Sequence, residues 1–422
     1  MAPTKVATPW QLRRVYASIF LSITTSTAAL QAEPVLMAQL VGGDVARSAI
    51  MLSSTSTISG LLGLLVNQVG GRLSDKVGRK ALFFAGPAFS LAQGLAIFMQ
   101  PASLPLLMVC RTLRLCLGTF SSSVMCMAAL SDLAEGKQLS VANSVLWACS
   151  GLGVIVGPLL EGSILARGLP VRFSYLLAAI VSSIHVLFTG FVMRETLPPG
   201  EGKPFTMAGF NPLGFVKLFR RSTPATLQKL VVVGSLQSWL EGKNGVDYVQ
   251  IWQREHLKWN VFQMRNFTVS YGVCMFVAGQ FLTPGLLKAM SARTFTTATN
   301  LTNLLGFFMR GWSENPKIFW AAIVPMLPGV NGSSASAIKA IASDHARAAG
   351  LGAGEYSGYF NNLRALVGAA STMTFGVSYS FCVRRGLHPG IPFWLGAILG
   401  AAVPELLHRT MSTEEMRRHS AV

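Results

Sequence analysis

Side chains able to carry a proton or hold a charged solute are few in this sequence, and those inside its apolar runs define the chemistry open to it. Of 422 residues, 51% are hydrophobic and 12% charged, where a soluble domain carries roughly a quarter charged. An acid or base inside an apolar run is costly and marks an ion or solute path, a proton relay or a buried pair. Arg111 and Arg114 lie one turn apart in the run 104–130. Each either takes part in proton coupling or solute binding, or pairs with a carboxylate and holds helices together; for Arg111, nearer the outer surface, snorkelling is a third reading. The carboxylates available to move a proton are Glu33, directly before Pro34, Asp132, and Glu161 near the outer end of the run 142–164, where it is expected to reach water. A second polar group, Gln237, Glu241, Lys243 and Asp247, is interrupted by Gly242, Asn244 and Gly245 in the run 229–252. It reads as a broken helix lining a solute cavity, or as an outer loop anchored by Trp252 and Trp259. Asn331, among Pro325, Pro328, Gly329 and Gly332, and Arg364 complete the cavity candidates.

No constellation for bond-breaking chemistry emerges. His185, His256, His345, His388, His408 and His419 are scattered, and His185 reads as a satisfied interior residue. Cys110, Cys116, Cys126, Cys149, Cys274 and Cys382 lie in or beside apolar runs without paired-ligand spacing. They read as small buried hydrophobes and not as a disulfide framework or zinc site. The expectation is a protein that is not an enzyme and needs no cofactor or metal. Gly350-x-Gly352-x-Gly354 is no dinucleotide fingerprint, since no strand precedes it. Asn266-Phe267-Thr268 is a glycosylation sequon that hugs the eighth run.

The elements that must position these groups are twelve membrane-length runs, at 14–38, 47–70, 81–100, 104–130, 142–164, 172–193, 229–252, 267–288, 294–312, 317–341, 358–382 and 391–408. The fold expected is an all-α membrane protein. The first run is too long for a signal-peptide core and should stay in the mature protein. The net charge of +18 does not point to nucleic acid, because its cations fall in short loops. Those loops hold about two basic residues on one face for each one on the other, which puts both termini in the cytoplasm. The plasma membrane and organelle membranes are not distinguished. The longest polar stretch, 194–228, carries Pro198, Pro199, Gly200, Gly202, Pro204 and Pro212 and cannot continue a helix. It divides the chain into six-helix halves, 1–193 and 229–422. Its cluster Lys217, Arg220 and Arg221 is either a short amphipathic helix on the inner leaflet or part of a solvated linker.

Between the second and third runs stands Gly71-Arg72-Leu73-Ser74-Asp75-Lys76-Val77-Gly78-Arg79-Lys80. Its charges place it as a tight loop at a membrane face, with glycines for the turn and an Asp able to meet a helix N-terminus. This pattern resembles the signature loop of the major facilitator superfamily of secondary transporters. Arg114-x-x-x-Gly118, Ala128-Ala129-Leu130-Ser131-Asp132 and Gly153-Val154-Ile155-Val156-Gly157-Pro158-Leu159-Leu160-Glu161-Gly162 tighten the likeness. They are similar to the helix-4 and helix-5 motifs of tetracycline exporters, the drug:proton antiporter branch, and their eukaryotic relatives. Gly153, Gly157, Pro158 and Gly162 form the helix-5 part.

The resemblance implies two pseudo-symmetric six-helix bundles that rock about a central site lined by helices 1, 4, 7 and 10. In it Gly71, Asp75, Lys76, Gly78, Arg79 and Lys80 latch one face. It implies a monomer in a lipid bilayer that binds a small molecule and protons, not nucleic acid, and exports the solute against proton entry. An uncoupled facilitator and a transporter-like receptor remain the alternatives. Two positions depart from the pattern. Glu161 stands where the branch has Gly, and Thr24-Thr25-Ser26-Thr27 stands where tetracycline exporters carry an acid in helix 1. The second departure counts against tetracycline as the solute. Gly285 and Arg293 keep the spacing of Gly71 and Arg79 after the eighth run and read as a degenerate second copy of the loop.

Overall fold

The computed structural model describes residues 9–120, 123–134, 136–197, 211–241, 248–351 and 353–412. For some of these, Asn331 among them, it describes the backbone alone. All secondary structure among the described residues is helical. It falls into twelve segments, several of them interrupted. The unbroken ones are the second, Val45–Val77, the third, Arg79–Met99, the fifth, Gly136–Ala166, the ninth, Ala292–Trp312, and the eleventh, Ala353–Arg385. Seven of the described helices are long and apolar enough to cross a membrane.

The chain divides into two compact units. Unit 1 comprises Met1–Asp44, Leu65–Phe210 and Gln253–Phe276, and unit 2 comprises Val45–Leu64, Asn211–Trp252 and Val277–Val422. In unit 1 the first helix packs on the fifth segment through glycine. A Cβ on Gly153 would sit 2.8 Å from the Ile23 Cβ, and one on Gly157 would sit 2.9 Å from the Thr24 carbonyl oxygen. Lipid tails are as apolar as leucine, so close approach through small residues is what holds such helices together. The Thr27 hydroxyl adds a bond across the seam to the Gly153 carbonyl at 3.1 Å. Beside this seam Val15, Ile19, Leu82, Phe83, Cys126, Ala129, Leu130 and Leu146 form a core. In unit 2 the core gathers Phe215, Leu218, Leu227, Leu230, Ile338, Ile341, Tyr356 and Phe360. Its stretch Val45–Leu64 packs on the eleventh segment, with Gly60 beneath the Ala369 Cβ and Thr57 bonded to the Ala369 carbonyl at 3.2 Å.

Two expectations need correction. The run 14–38 is not one helix: Pro9–Thr27 ends, residues 28–31 turn, and Ala32–Leu40 begins anew. Pro34 favours the break, since its ring inside a continuous helix would meet the Leu30 carbonyl, although Pro87 and Pro158 are carried inside unbroken helices. After the break Pro34 sits in a first turn, where no N–H is needed. Thr24, Ser26 and Thr27 bond back to the carbonyls of Phe20, Ser22 and Ile23 at 2.7, 3.0 and 2.8 Å, a pattern that loosens helices.

The tight loop expected over 71–80 is shortened to a one-residue joint. Residues 71–77 continue the second segment, and Gly78 alone separates it from the third. Gly78 holds φ +101° and ψ 153°, a conformation closed to residues with a Cβ. The sequon lies inside Val261–Val277, with Thr268 buried. In the expected linker, Gly214–Phe219 is a short 3-10 helix that buries Phe215 and Leu218 and sets Lys217 over the Tyr359 ring.

Candidate functional site

The break in the first segment assembles the site in unit 1. Glu33 is in the first turn of Ala32–Leu40, where the helix dipole favours a carboxylate. The fourth segment, starting with Leu104–Leu117, brings Arg111 and Arg114 to it. Both nitrogen-to-oxygen bonds from Arg114 Nη2 to the Glu33 carboxylate measure 3.1 Å, and Arg111 makes an ion pair with the same group. Arg111 and Glu33 are each 4% exposed. Arg111 therefore does not snorkel to the surface. Arg114 Nη1 also reaches the Ser26 carbonyl at 3.5 Å, and its buried Nε has no hydrogen-bond partner among the described residues. A cavity of about 20 Å³, lined by Ser22, Thr25, Ser26, Ser90, Arg114 and His185 among others, adjoins the guanidinium. That is room for about one water molecule.

Glu161 does not reach water as expected. It is fully buried, and its carboxylate accepts from the backbone N–H groups of Gln31 and Ala32 at 3.0 and 2.8 Å. Gly162 packs against the aliphatic part of Arg265. Pro158 lies within the uninterrupted helix Gly136–Ala166.

Asp132 sits away from Arg114, in the corner built on Gly78. Arg79 Nε donates to Asp132 Oδ2 at 3.0 Å, and Arg79 Nη1 pairs with Asp75 Oδ1 at 2.7 Å and bonds Ser74 Oγ. Thr196 donates to Asp132 at 3.3 Å. The acid at the N-terminus of Arg79–Met99 is Glu195, which accepts from the N–H groups of Arg79 and Lys80 at 2.8 and 3.1 Å. Lys80 Nζ donates to the Gly190 carbonyl at 2.8 Å, and Lys76 is exposed. Gly71 lies in the helix.

Unit 2 holds a second charged group. The seventh segment runs as Ala225–Gln237 and Ser238–Leu240, then resumes as Tyr248–Glu255. Glu241 at the end of the first part pairs with Arg364 of the eleventh segment. The Arg364 side chain is 46% exposed and that of Glu241 18%. Lys339, on Ser333–Ala348, interacts electrostatically with both. Its Nζ donates to Asn361 Oδ1 at 3.2 Å and lies 5.6 Å from the centre of the Phe360 ring. Gln237 does not line an opening. It is 2% exposed and donates to Asn300 at 2.8 Å, which in turn donates to Glu405 at 3.0 Å. Lys243 and Asp247 lie outside the described residues, as does the Asn331 side chain.

Sequence reasoning names Glu33, Arg111 and Arg114 but not their union. It misses Glu195, whose signal is an acid beside Arg194 at the end of the sixth run. It leaves Lys339 among the loop cations, although position 339 falls within the apolar run 317–341, where a charge has to find a partner.

The pattern of the Major Facilitator Superfamily matches residues 15–372. The class C tetracycline resistance protein of Escherichia coli is 24% identical over 262 residues, 61% of this chain and 64% of that protein. The class H protein of Pasteurella multocida is 24% identical over 344 residues, 78% of this chain and 79% of that one. Among solved structures, the human organic anion transporter MFSD10 (TETRAN) aligns with TM-score 0.65 and 17% identity, covering 95% of this chain and 100% of that one. A POT family transporter in complex with 5-aminolevulinic acid aligns with TM-score 0.70 and 12% identity, covering 94% of each chain. At these identities the structural likeness is one of fold.

Proposed function

The chain belongs to the major facilitator superfamily, and on that premise we propose that it exports a small organic solute by alternating access in exchange for protons. It is a multi-pass membrane transporter and not an enzyme. The observation that carries the coupling is the buried group of Glu33, Arg111 and Arg114. A proton on Glu33 neutralises it and leaves two guanidinium groups without their counter-charge. Breaking a buried pair in this way costs about 3–5 kcal/mol. Moving a two-state equilibrium from mostly one state to mostly the other takes about 5.5 kcal/mol, so one protonation supplies much of the bias. The site then favours whichever state opens the arginines to water. Asp75, Arg79 and Asp132 act at the Gly78 corner as the conformational latch, and 1–193 and 229–422 are the moving halves, with both termini cytoplasmic.

The solute reading rests on Arg364 and Lys339 facing one carboxylate, Glu241. One cation in excess suits a solute with an anionic group. The description of human MFSD10 as an organic anion transporter supports the same class.

The test is proton flux into liposomes holding the purified protein, with a pH-sensitive dye inside. The probes are p-aminohippurate, 5-aminolevulinate and tetracycline. The reading expects proton flux driven by an anionic probe and lost in Arg114→Ala. Probe flux that ignores the pH gradient and survives Arg114→Ala would make the protein a facilitator. Probe binding without flux would make it a receptor.

A further inference from the structure

Glu161 is one of the two positions at which this chain departs from the antiporter pattern, and the other is the acid missing from 24–27. The structure joins the two. Gly153, Gly157 and Glu161 are spaced four apart on one helix, so they form a single stripe. Gly153 meets Phe20 and Ile23, Gly157 meets Thr24 and Thr27, and Glu161 meets Gln31 and Ala32. The two glycines bring the helices close enough for the third residue to touch backbone. There the first segment has broken, and a new helix exposes N–H groups that have no carbonyl within their own helix. Glu161 takes them. Its Oε1 accepts from Gln31 at 3.1 Å and from Ala32 at 2.8 Å, and its Oε2 accepts from Gln31 at 3.0 Å. Both oxygens act as acceptors of backbone N–H groups. The glycine of the family pattern could supply none of these bonds.

We propose that Glu161 is a positioning residue: its carboxylate fixes the break in the first segment and thereby sets Glu33 between Arg111 and Arg114. Glu33 is the next residue after Ala32, so the turn that Glu161 holds is the turn that aims Glu33. The acid absent from the middle of the first helix is thus replaced by one just past a break, and the break is held by the residue that replaced glycine. The charged and titratable groups around Glu161 come from every element packed on it. They are Glu33 from the restarted helix, Arg111 and Arg114 from the fourth segment, Tyr175 from the sixth, and Arg265 beside Gly162. The Tyr175 hydroxyl is buried without a hydrogen-bond partner among the described residues, as is the Gln31 side-chain amide. The break therefore has polar groups to spare but a single acid at its N–H groups.

This proposal rests on Glu33 being the proton site, and its test does not need a solute. Full-length protein in lipid nanodiscs is followed by amide hydrogen exchange over residues 28–33 and by the infrared carboxylate stretch of Glu33, assigned by difference against Glu33→Gln. The variants are Glu161→Gln and Glu161→Met, which keep the volume, and Glu161→Gly, the family residue. A packing role alone would be met by Met, while Gln keeps one oxygen able to accept from both N–H groups. The positioning role expects the Gln31 and Ala32 amides to exchange at least tenfold faster in Glu161→Met and Glu161→Gly, with Glu161→Gln nearer the wild type. It also expects the Glu33 stretch in the Met and Gly variants to lose the signature of a guanidinium-paired carboxylate. Wild-type exchange or an unchanged stretch in the folded Met variant overturns it. Should every variant fail to fold, the wild type decides alone: Gln31 and Ala32 must exchange at least tenfold more slowly than Gly42 at the far end of the same helix, and equal rates overturn the proposal. A protein that shows these signatures yet moves no protons would sink the coupling reading and leave the positioning role standing.

Discussion

The two units treat buried charge in opposite ways. In unit 1 one acid is closed between two arginines and shut off from solvent, with space beside it for about one water. In unit 2 the acid pairs with an arginine whose head is nearly half exposed, and a second cation stands by. The joints between helices differ in the same direction. The Gly78 joint of unit 1 draws in Asp75, Arg79, Asp132 and Glu195. The joint of unit 2, at Met290 and Ser291, is an ordinary turn in which the Ser291 hydroxyl accepts from the Thr294 N–H at 3.1 Å. Each group holds one acid and two cations, so what separates them is access. The closed one suits a small ion such as the proton, and the open one suits a larger anionic solute.

The largest contrast is expected from the two arginines. Arg114→Ala leaves Glu33 and Arg111 buried beside a hole, and should abolish solute-driven proton flux and lower stability by about 3 kcal/mol. Arg364→Ala removes a half-exposed arginine and leaves the Glu241 carboxylate, 18% exposed, still facing Lys339, so the cost is about 1 kcal/mol. It should raise the KM for an anionic probe about tenfold, the loss of one charged contact, while the protein stays close to wild-type stability. Equal loss of stability in both variants, read by thermal unfolding in detergent, would erase the contrast between a closed and an open site.

Accessibility gives a second, smaller contrast that needs no transport. In a background without native cysteines, Arg364→Cys should react with a charged thiol reagent far faster than Arg111→Cys, since a buried thiol is inert and an exposed one is not. Comparable labelling rates would break the comparison at its base.

The joints are the third test. Gly78→Ala forces a Cβ into a backbone region that costs on the order of 1–3 kcal/mol, and that Cβ would press on the Glu195 carboxylate. The variant should unfold at a lower temperature and lose flux, because the carboxylate capping Arg79–Met99 is displaced with it. Glu195→Gln, which keeps the backbone and weakens only the cap, should cost about 1 kcal/mol.

Much of this is legible in the sequence, and the parts that are not share a cause. Arg114 is legible because an arginine in an apolar run has to meet a partner. Gly153 and Gly157 are legible because their spacing repeats on one face. The seventh segment is legible as broken because glycine and asparagine crowd it. What stays hidden depends on which helix comes next in space. Nothing in the order of residues says that Glu161 reaches Gln31, that Asp132 faces Arg79 in place of Arg114, or that Gln237 turns toward Asn300. The break before Pro34 is the exception. The clash of a proline ring with the carbonyl four residues back is a local rule, and it bears on the run 14–38 from the start.

The smallest predicted effect is the most discriminating for the joints. Ser291→Ala removes a cap that serves only its own helix, so the loss is about 1 kcal/mol, and Ser291→Gly should cost a few tenths. Neither should change flux by more than the fall in folded protein, because no acid network like that at Gly78 hangs on Ser291 among the described residues. Arg293, two residues on, has an interaction of its own, so the serine is the cleaner probe. A loss of flux in Ser291→Ala at wild-type levels of folded protein would mean that the second joint is a latch as well. The asymmetry between the units would then belong to their buried charges alone.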